Sequence, residues 1–261
     1  MNAEYALAHQ RLGHGAKIIV LLHGFLGRSR NLASLATALV SRVPDCSVIS
    51  IDLPGHGRSP PLTPDEDYAA VIDLFAGWFR TLPAPMTLIG HSLGAKMGLS
   101  VAARLGAAVE SLVMLDASPS PAEGIRSDVD WIVELLLAAP ARASSSDAMR
   151  THFHNAGLPR GTTDWLLMNL RHDGDLVTWA IDRLTLAKFA KQFRVLDQWH
   201  DAESIADHLA VVQGGASPYI TESDIIRFHA LGVEVHTLPH VGHFVHVEAL
   251  DDLVNWFVAR R

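Results

Sequence analysis

The sequence MTLIGHSLGAKMGL at residues 86–99 is the strongest local signal in the chain. It begins with an apolar run typical of a strand buried on both faces, and from Leu93 onward its pattern predicts a helix. Between the two lies Gly90-His91-Ser92-Leu93-Gly94, a Gly-x-Ser-x-Gly motif. Glycines two positions either side of Ser92 permit a tight strand-to-helix turn that exposes the serine hydroxyl. The motif predicts a nucleophilic serine, although such a match also occurs by chance in loops.

Apolar runs alternate with helical patterns on both sides of this motif. The predicted strands cover residues 17–22, 47–52, 86–90, 111–115, 209–213 and 233–238, with a candidate edge strand at 5–11. The predicted helices cover residues 31–42, 67–80, 93–105, 221–231 and 249–259. This alternation predicts an α/β fold with a mostly parallel sheet flanked by helices.

Residues 118–206 interrupt the alternation. They are rich in helix formers, contain no convincing buried strand and carry four of the tryptophans, namely Trp131, Trp165, Trp179 and Trp199. We interpret them as a helical cap inserted after the half of the chain that carries the serine, into a core made of residues 1–117 and 207–261. Clusters of Gly, Pro and Ser at 118–124 and 139–147 are its predicted hinges or turns. The tryptophans either line an apolar pocket or form the core of the cap itself.

The loop after the first predicted core strand reads His23-Gly24-Phe25-Leu26-Gly27. A loop in this position supplies one backbone N–H group to an oxyanion hole, and the residue after the nucleophile supplies the other. The predicted donors are therefore Phe25 and Leu93. One such donor lowers the barrier by about 3–4 kcal/mol in measured cases. The alternative is that the two glycines only form a turn.

The predicted general base is His243, in Gly242-His243-Phe244 after the last predicted strand. A serine hydroxyl is a weak nucleophile until a base accepts its proton, and histidine accepts protons near neutral pH. The chain has 15 histidines, and the spacing of His240 and His243 also suggests a metal site. No acid or cysteine completes a ligand set at helical spacing, so neither a metal nor another cofactor is expected.

The acid that should orient the histidine is not obvious from the sequence. In many members of this kind of fold the acid follows strand 209–213 in a Gly-x-x-Asp arrangement. The corresponding residues here are Gly214-Gly215-Ala216-Ser217, so a serine stands where the aspartate is expected. Glu222 and Asp224 fall in the next predicted helix and are poorly placed for the role.

Asp116, directly after strand 111–115, is the better candidate. The carboxyl ends of parallel strands converge at one edge of a sheet, so its carboxylate is expected to reach the Nδ1 side of His243. Ser217 is expected to hydrogen-bond to the same carboxylate or to the histidine. The alternative is that Asp116 caps a helix or loop of the inserted segment.

Two further features have structural interpretations. Residues 52–59, DLPGHGRS, predict a turn at the rim of the site in which His56 and Arg58 are structural rather than catalytic. Lys96 lies one turn into the predicted nucleophile helix, where packing or a surface position is expected.

These residues resemble the α/β-hydrolase superfamily across essentially the whole chain, and most closely the small bacterial esterases of the YbfF type. The blocks that carry the resemblance are residues 90–96, 115–119, 214–219 and 242–248. The resemblance implies acyl-ester hydrolysis, in some members thioester hydrolysis, with Ser92, Asp116 and His243 as a triad and Ser217 as a fourth hydrogen-bonding member. Residues 158–182 show only scattered likeness, so the substrate is the least transferable part.

Composition narrows the classes of partner. The 261 residues are 49% hydrophobic and 19% charged, which is typical of a globular protein with a sizeable core. A formal net charge of −7 argues against nucleic acid or an anionic membrane as the main partner. The single cysteine, the absence of a signal-peptide pattern and the absence of a long apolar run favour a cytoplasmic protein without stable membrane insertion.

Three functional hypotheses follow. The leading one is a carboxylic-ester hydrolase, acting on a small acyl ester through an acyl-enzyme on Ser92 and requiring no cofactor. The second is a thioesterase, a C–C hydrolase or a lyase that uses the same residues. The third is a non-enzymic ligand receptor built on a hydrolase scaffold. A serine at position 92 argues against dehalogenase or epoxide-hydrolase chemistry, which requires a carboxylate nucleophile.

Overall fold

The structure, a computed structural model, describes residues 6–122 and 128–260, with only the backbone of residue 128. Its strands are β1 His9–Leu12, β2 Lys17–Leu22, β3 Cys46–Ile51, β4 Met86–His91, β5 Val109–Leu115, β6 Arg142–Ala143, β7 Leu170–Asp173, β8 Leu176–Trp179, β9 Leu209–Gly214 and β10 Glu234–Leu238. Its α-helices are α1 Ala33–Arg42, α2 Tyr68–Phe79, α3 Leu93–Leu105, α4 Asp128–Ala138, α5 Ser146–Asn155, α6 Arg160–Leu167, α7 Arg183–Arg194, α8 Trp199–Ser204, α9 Glu222–Ala230, α10 Val245–Glu248 and α11 Leu250–Ala259.

A seven-stranded sheet in the order β1-β3-β2-β4-β5-β9-β10 organises the molecule. All neighbouring strands are parallel except β1, which pairs antiparallel with β3. The sheet is covered on both faces because side chains alternate along each strand. In β2, Val20 and Leu22 pack into one buried cluster, whereas Ile19 and Leu21 pack into the other. The predicted α/β fold with a mostly parallel sheet is confirmed.

The predicted boundaries agree with this architecture to within a few residues. Helix α3 spans the predicted residues 93–105. Two other helices begin one residue late because the expected first residue is the N-cap: Asp67 accepts a hydrogen bond from Ala70 N–H, and Thr221 accepts one from Asp224 N–H. Helix α1 begins at Ala33 because Ser29–Leu32 form a 3₁₀ turn. The edge strand begins at residue 9, and residue 5 of the predicted strand lies outside the described residues.

The interruption at residues 118–206, called the insert below, lies between the adjacent strands β5 and β9. It contains helices α4 to α8 and, against expectation, a three-stranded antiparallel sheet in the order β6-β8-β7. Strands β7 and β8 form a hairpin around Gly174, whose φ is +61°. Of the predicted hinges, residues 123–124 lie outside the described residues, and 139–147 contain β6 and the start of α5. None of the helices in the described part is both long and apolar enough to cross a membrane.

Lys96 joins the insert to the core instead of lying at the surface. Its side chain is buried, and Nζ donates to Ser120 O at 3.1 Å and to Gln198 Oε1 at 3.4 Å. Gln198 Nε2 in turn donates to Lys96 O and to Ser100 Oγ. Burial lowers the pKa of the Lys96 ammonium to about 8.

The tryptophans of the insert divide between structural and site-facing positions. Trp199 and Trp179 are buried, and their indole N–H groups donate to Ser120 Oγ at 2.8 Å and to Pro140 O at 2.9 Å. Both are therefore part of the molecular core. Trp165 is half-buried, and its ring lies edge-on to Phe244, next to His243 in the chain.

Candidate active site

Ser92 occupies a strained turn between β4 and α3. Its φ of 52° and ψ of −115° lie outside the regions that non-glycine residues ordinarily adopt. The turn is held because Ser92 N–H donates to Leu115 O, at the end of the neighbouring strand β5, at 3.0 Å. The serine therefore stands at the N-terminus of α3, above the carboxyl end of the sheet.

The two glycines of the motif are required by close backbone contacts. A Cβ atom at Gly90 would lie 2.5 Å from Gly94 O, and one at Gly94 would lie 2.5 Å from Leu22 O. These neighbours are backbone atoms within the sheet and helix, so they cannot move aside cheaply. The helix carrying the serine can pack this closely on β2 only because both positions lack a side chain.

We expect Gly94→Ala to lower the free energy of unfolding by about 2–4 kcal/mol through overpacking. The matched control is Gly77→Ala in the exposed face of α2, where an added Cβ meets nothing within 4 Å. That change should raise the free energy of unfolding by about 0.5–1 kcal/mol, since alanine is the better helix former. Urea denaturation of both variants measures the effects. Equal effects at the two positions would contradict the close packing of the turn.

His243 and Asp116 lie together at the carboxyl end of the sheet. His243 Nδ1 is 2.7 Å from Asp116 Oδ2. Ser217 occupies the position at which a Gly-x-x-Asp arrangement would have its aspartate. Its hydroxyl group donates a hydrogen bond to the same Oδ2 atom. Gly214 N–H donates to the other oxygen, Oδ1, at 3.0 Å. The structure thus brings Asp116, Ser217 and His243 into one hydrogen-bonded group.

The geometry of Asp116 suits a buried acceptor. Its side chain is fully covered, its φ is +50°, and its N–H donates to Val212 O of β9 at 2.8 Å. The neighbouring acids have other surroundings: Glu222 is exposed, and Asp224 accepts from Ser120 Oγ and Thr221 at the start of α9. Neither of these two carboxylates contacts the histidine.

The segment around His243 is fixed next to the serine turn. His91 Nε2 lies 2.9 Å from His243 O, and the two imidazole rings are 4.5 Å apart. On the other side, the Tyr219 ring packs against the His243 ring in a tilted arrangement, with centroids 4.1 Å apart and an angle of 32° between their planes. Among the described residues no hydrogen bond joins Ser92 Oγ to His243, and catalytic hydrogen bonds commonly tighten only when substrate is bound.

Residues 23–27, called the oxyanion loop below, pack against the serine turn. A Cβ at Gly24 would lie 2.8 Å from His91 Nδ1 and 3.5 Å from Ser92 Cβ, so only glycine permits this approach. Within the described chain neither Phe25 N–H nor Leu93 N–H donates to a protein acceptor. Both predicted oxyanion donors therefore belong to segments that meet at Ser92.

Two buried histidines set the peptide planes of the oxyanion loop. His23 Nδ1 donates to Gly24 O at 2.8 Å, which fixes the peptide group that carries Phe25 N–H. His56 Nε2 accepts from Leu26 N–H at 3.1 Å, which fixes the next peptide group. His23 Nε2 also accepts from Leu53 N–H at 2.9 Å, so each ring has one accepting nitrogen and needs a neutral tautomer. Burial lowers the pKa of His23 to about 3 and that of His56 to about 4, so both imidazoles are neutral near pH 7.

The turn after β3 supports the same loop. Asp52 accepts hydrogen bonds from Ser29 N–H at 2.7 Å and from Arg58 N–H at 2.9 Å. Burial alone would raise the pKa of the Asp52 carboxyl, but these backbone hydrogen bonds hold it below its usual value. His56 is part of this turn and contacts Leu26. The geometry agrees with the structural interpretation of residues 52–59.

We expect stability to fall as the pH drops below about 6.5, because the unfolded chain then binds protons on histidines that stay neutral when folded. The pKa of His56 is about 4 in the folded protein and 6.5 in the unfolded chain. Its contribution to the free energy of unfolding is therefore complete above pH 6.5 and is lost progressively between pH 6.5 and pH 4. His56→Gln retains an acceptor for Leu26 N–H and removes this titration. Between about pH 7.5 and pH 5 the wild type should lose about 2 kcal/mol more than the variant.

Chemical denaturation at the two pH values measures this difference. His200→Gln, at an exposed histidine, is the matched control and should keep the wild-type pH dependence. An identical loss in wild type and His56→Gln would show that His56 is not held neutral by the fold.

The other histidines near the site do not form a metal cluster. Across residues 6–122 and 128–260, no group of three or more His, Cys, Asp or Glu side chains could hold a metal ion. His240 is exposed, whereas His246 is buried with its ring 4.6 Å from that of His91. Burial and the nearby His243 lower the pKa of His246 to about 4.

Four contacts of this site were not predicted from the sequence. His23 and His56 contribute donor and acceptor nitrogens to the oxyanion loop, the Tyr219 ring packs on that of His243, and Asn169 of the insert donates to Leu26 O at 2.8 Å. The first three residues lie within sequence motifs of the site, so their neighbourhood was predictable. Nothing in the sequence around Asn169 marks it.

The chain belongs to the alpha/beta hydrolase family, whose model matches residues 19–256. It is 29% identical over 255 residues to the esterase YbfF of Escherichia coli strain K12, covering 93% of this chain and 92% of the relative. It is also 29% identical over 248 residues to the sn-1-specific diacylglycerol lipase ABHD11 of Mus musculus, covering 91% and 78%. The resemblance to YbfF-type esterases is confirmed, and the chain is a hydrolase with esterase and lipase relatives.

A solved structure of a marine microorganism esterase superposes with a TM-score of 0.85, at 22% identity, over 97% of this chain and 98% of the other. At this identity the likeness supports the fold alone. The predicted α/β-hydrolase fold is confirmed by it.

Proposed function

We propose that this protein is a serine esterase that cleaves small carboxylic esters through an acyl-enzyme on Ser92. The observation that carries the proposal is the buried Asp116 carboxylate 2.7 Å from His243 Nδ1, beside a strained serine at the N-terminus of α3. A neutral histidine whose Nδ1–H is held by a carboxylate presents Nε2 as a proton acceptor. This is the arrangement that converts a serine hydroxyl into a nucleophile.

In the proposed mechanism Ser92 Oγ attacks the ester carbonyl carbon while its proton passes to His243 Nε2. The carbonyl oxygen becomes an oxyanion that accepts hydrogen bonds from Phe25 N–H and Leu93 N–H. When the tetrahedral intermediate collapses, His243 gives its proton to the leaving alcohol and the acyl group stays on Ser92. Water, deprotonated by His243, then releases the carboxylic acid and restores the serine.

The other members of the site have supporting roles in this proposal. Asp116 holds the tautomer of His243 and stabilises the imidazolium ion, and Ser217 and Gly214 N–H hold Asp116. His23 and His56 orient the oxyanion loop. The insert, residues 118–206, acts as a cap over a core formed by residues 1–117 and 207–261. Its Trp165 approaches the site through Phe244.

The test is hydrolysis of p-nitrophenyl esters of graded acyl length, combined with labelling by a fluorophosphonate. We expect turnover of at least part of the ester series and a single covalent label, which peptide mass spectrometry should locate at Ser92. Prior labelling should abolish turnover. The proposal fails if the folded protein hydrolyses no ester of the series, or if active protein carries its label at another residue.

A further inference from the structure

The oxyanion loop has a third fixed peptide group, and the residue that fixes it comes from the insert. Asn169 Nδ2 donates to Leu26 O at 2.8 Å, across 143 positions of the chain. Both residues are 1% exposed, so the bond is shielded from water. Leu26 has a φ of 59°, a conformation that a leucine adopts only when its surroundings impose it.

The three peptide groups of the loop are therefore held from three sides. His23 holds Gly24 O, His56 holds Leu26 N–H, and Asn169 holds Leu26 O. The first two residues belong to the core, whereas Asn169 belongs to the insert. Rotation of any of these peptide planes would displace Phe25 N–H, because consecutive planes share the Cα atoms of this short turn.

Asn169 is rigidly placed by contacts within the insert. Its backbone N–H donates to Leu166 O at 3.0 Å, and its backbone carbonyl accepts from Ala180 N–H at 2.7 Å. Its side-chain Nδ2 donates to Leu166 O at 3.3 Å as well as to Leu26 O. Its Oδ1 is buried with no protein partner in the described residues. A buried amide oxygen without a partner is unfavourable. The shorter of the two Nδ2 hydrogen bonds, to Leu26 O, is the one that reaches the oxyanion loop. The Nδ2 donor aimed at Leu26 gives the residue a use that an apolar side chain lacks.

The surrounding part of the insert also reaches the loop that carries the histidine. The Trp165 ring lies 6.4 Å from that of Phe244, and Met168 Sδ accepts from Asn31 Nδ2 at 3.9 Å. Residues 165–169 thus touch the segment after the oxyanion loop and the segment after His243. An insert that moved away from the core would release Leu26 O while His23 and His56 stayed in place.

We propose that Asn169 is a positioning residue for the oxyanion hole, so that the hole has its catalytic geometry only when the insert is docked on the core. The proposal rests on the serine esterase function proposed above. Asn169 touches no reacting atom and acts through the Leu26 carbonyl and the peptide groups on either side. The consequence is that the oxyanion hole depends on the contact between the insert and the core, and not on the core alone.

The test compares Asn169→Leu and Asn169→Asp with Thr163→Val, a buried change in helix α6 of the insert that removes a hydrogen bond to Leu158 O and leaves the Leu26 contact intact. The first variant removes the donor, and the second, equal in shape, places a carboxylate oxygen against Leu26 O. Steady-state kinetics on a p-nitrophenyl ester give kcat and KM. Inhibition by an alkyl trifluoromethyl ketone reports on the oxyanion hole. Ser92 Oγ adds to the carbonyl carbon of the ketone, and the former carbonyl oxygen of the ketone becomes an oxyanion that binds in the hole.

For both Asn169 variants we expect kcat to fall about 10-fold to 100-fold, and the ketone to bind weaker by a similar factor. KM should change by less than about 2-fold, since the oxyanion hole acts on the transition state. Thr163→Val should keep the wild-type kcat, KM and ketone affinity. If the buried carboxylate of Asn169→Asp prevents folding, Asn169→Leu decides, because it introduces no charge.

Unchanged kcat and ketone affinity in a folded Asn169 variant would overturn the proposal, whatever happens to the melting temperature. A loss that appears in KM alone would also overturn it, since that pattern indicates substrate binding rather than the oxyanion hole. The failure of the esterase proposal is distinguishable from either result. In that case the wild type itself shows neither ester turnover nor binding of the ketone.

Discussion

Replacing Ser92 by alanine is expected to lower kcat for ester hydrolysis by about 10⁴-fold to 10⁶-fold. Alanine removes the only atom that forms the acyl-enzyme in the proposed mechanism, while the oxyanion hole and the bound substrate can still assist direct attack by water. That residual assistance explains why the rate should stay above the uncatalysed one. Single-turnover and steady-state assays with p-nitrophenyl esters measure the loss, and the melting temperature shows whether the variant is folded.

The matched control is Ser100→Ala, two turns further along the same helix. Ser100 is buried and donates to Asp201 Oδ2 at 2.9 Å, away from the site. Its loss should cost about 1 kcal/mol of stability and leave kcat within a few-fold of wild type. The serine assignment is wrong if Ser92→Ala keeps substantial turnover in carefully purified protein, or if the two serine variants lose activity to a similar extent.

The core of the fold was predictable because its sequence signals are local and mutually consistent. Buried strands such as β2 and β4 are short, nearly continuous apolar runs, and α3 starts within a motif that leaves little choice of geometry. The N-caps Asp67 and Thr221 mark helix starts to within one residue. Errors of one or two residues at strand ends arise because hydrogen bonding extends past the apolar run, as it does to Gly214 in β9.

The insert was less predictable because its strands are short and half-exposed. Strand β7 is mostly solvent-facing, and β6 has only two residues, so neither shows the apolar alternation that identifies a strand. One signal was present: Gly174-Asp175 is a dipeptide typical of a two-residue hairpin turn, and these two residues join β7 to β8. The helix formers on both sides of this dipeptide outweigh it in the sequence, which is why the insert is predicted to be wholly helical.

Side-chain partners across the molecule could be inferred only where topology restricts them. Asp116 follows β5 and Ser217 follows β9, and these strands are neighbours in the sheet, so their meeting was inferable from strand order. Asn169 and Leu26 are joined by no such rule, because the path of the insert over the core depends on packing between irregular surfaces. For the same reason Lys96 was expected in packing or at the surface, and its bond to Ser120 was not foreseen.

Asp116→Asn is expected to lower kcat/KM by about 10³-fold to 10⁴-fold with little change in folding. In the wild type three donors converge on this carboxylate: Gly214 N–H, the Ser217 hydroxyl and His243 Nδ1–H. An asparagine has only one oxygen and must turn its NH₂ group toward one side. If Gly214 keeps the oxygen, the NH₂ group faces His243, which must then accept at Nδ1 and carry its proton on Nε2. That tautomer cannot take the proton of Ser92 Oγ.

The matched control is Asp224→Asn, which removes another buried carboxylate near the carboxyl end of the same sheet. Asp224 accepts from Ser120 Oγ at 2.5 Å and from Thr221 N–H at 2.9 Å, and it has no contact with His243. Its replacement should reduce the free energy of unfolding while leaving kcat/KM close to wild type. Should Asp224→Asn lose activity steeply while Asp116→Asn stays active, the orienting acid is not Asp116. Equal and small losses would mean that His243 keeps its tautomer through Ser217 and the backbone alone.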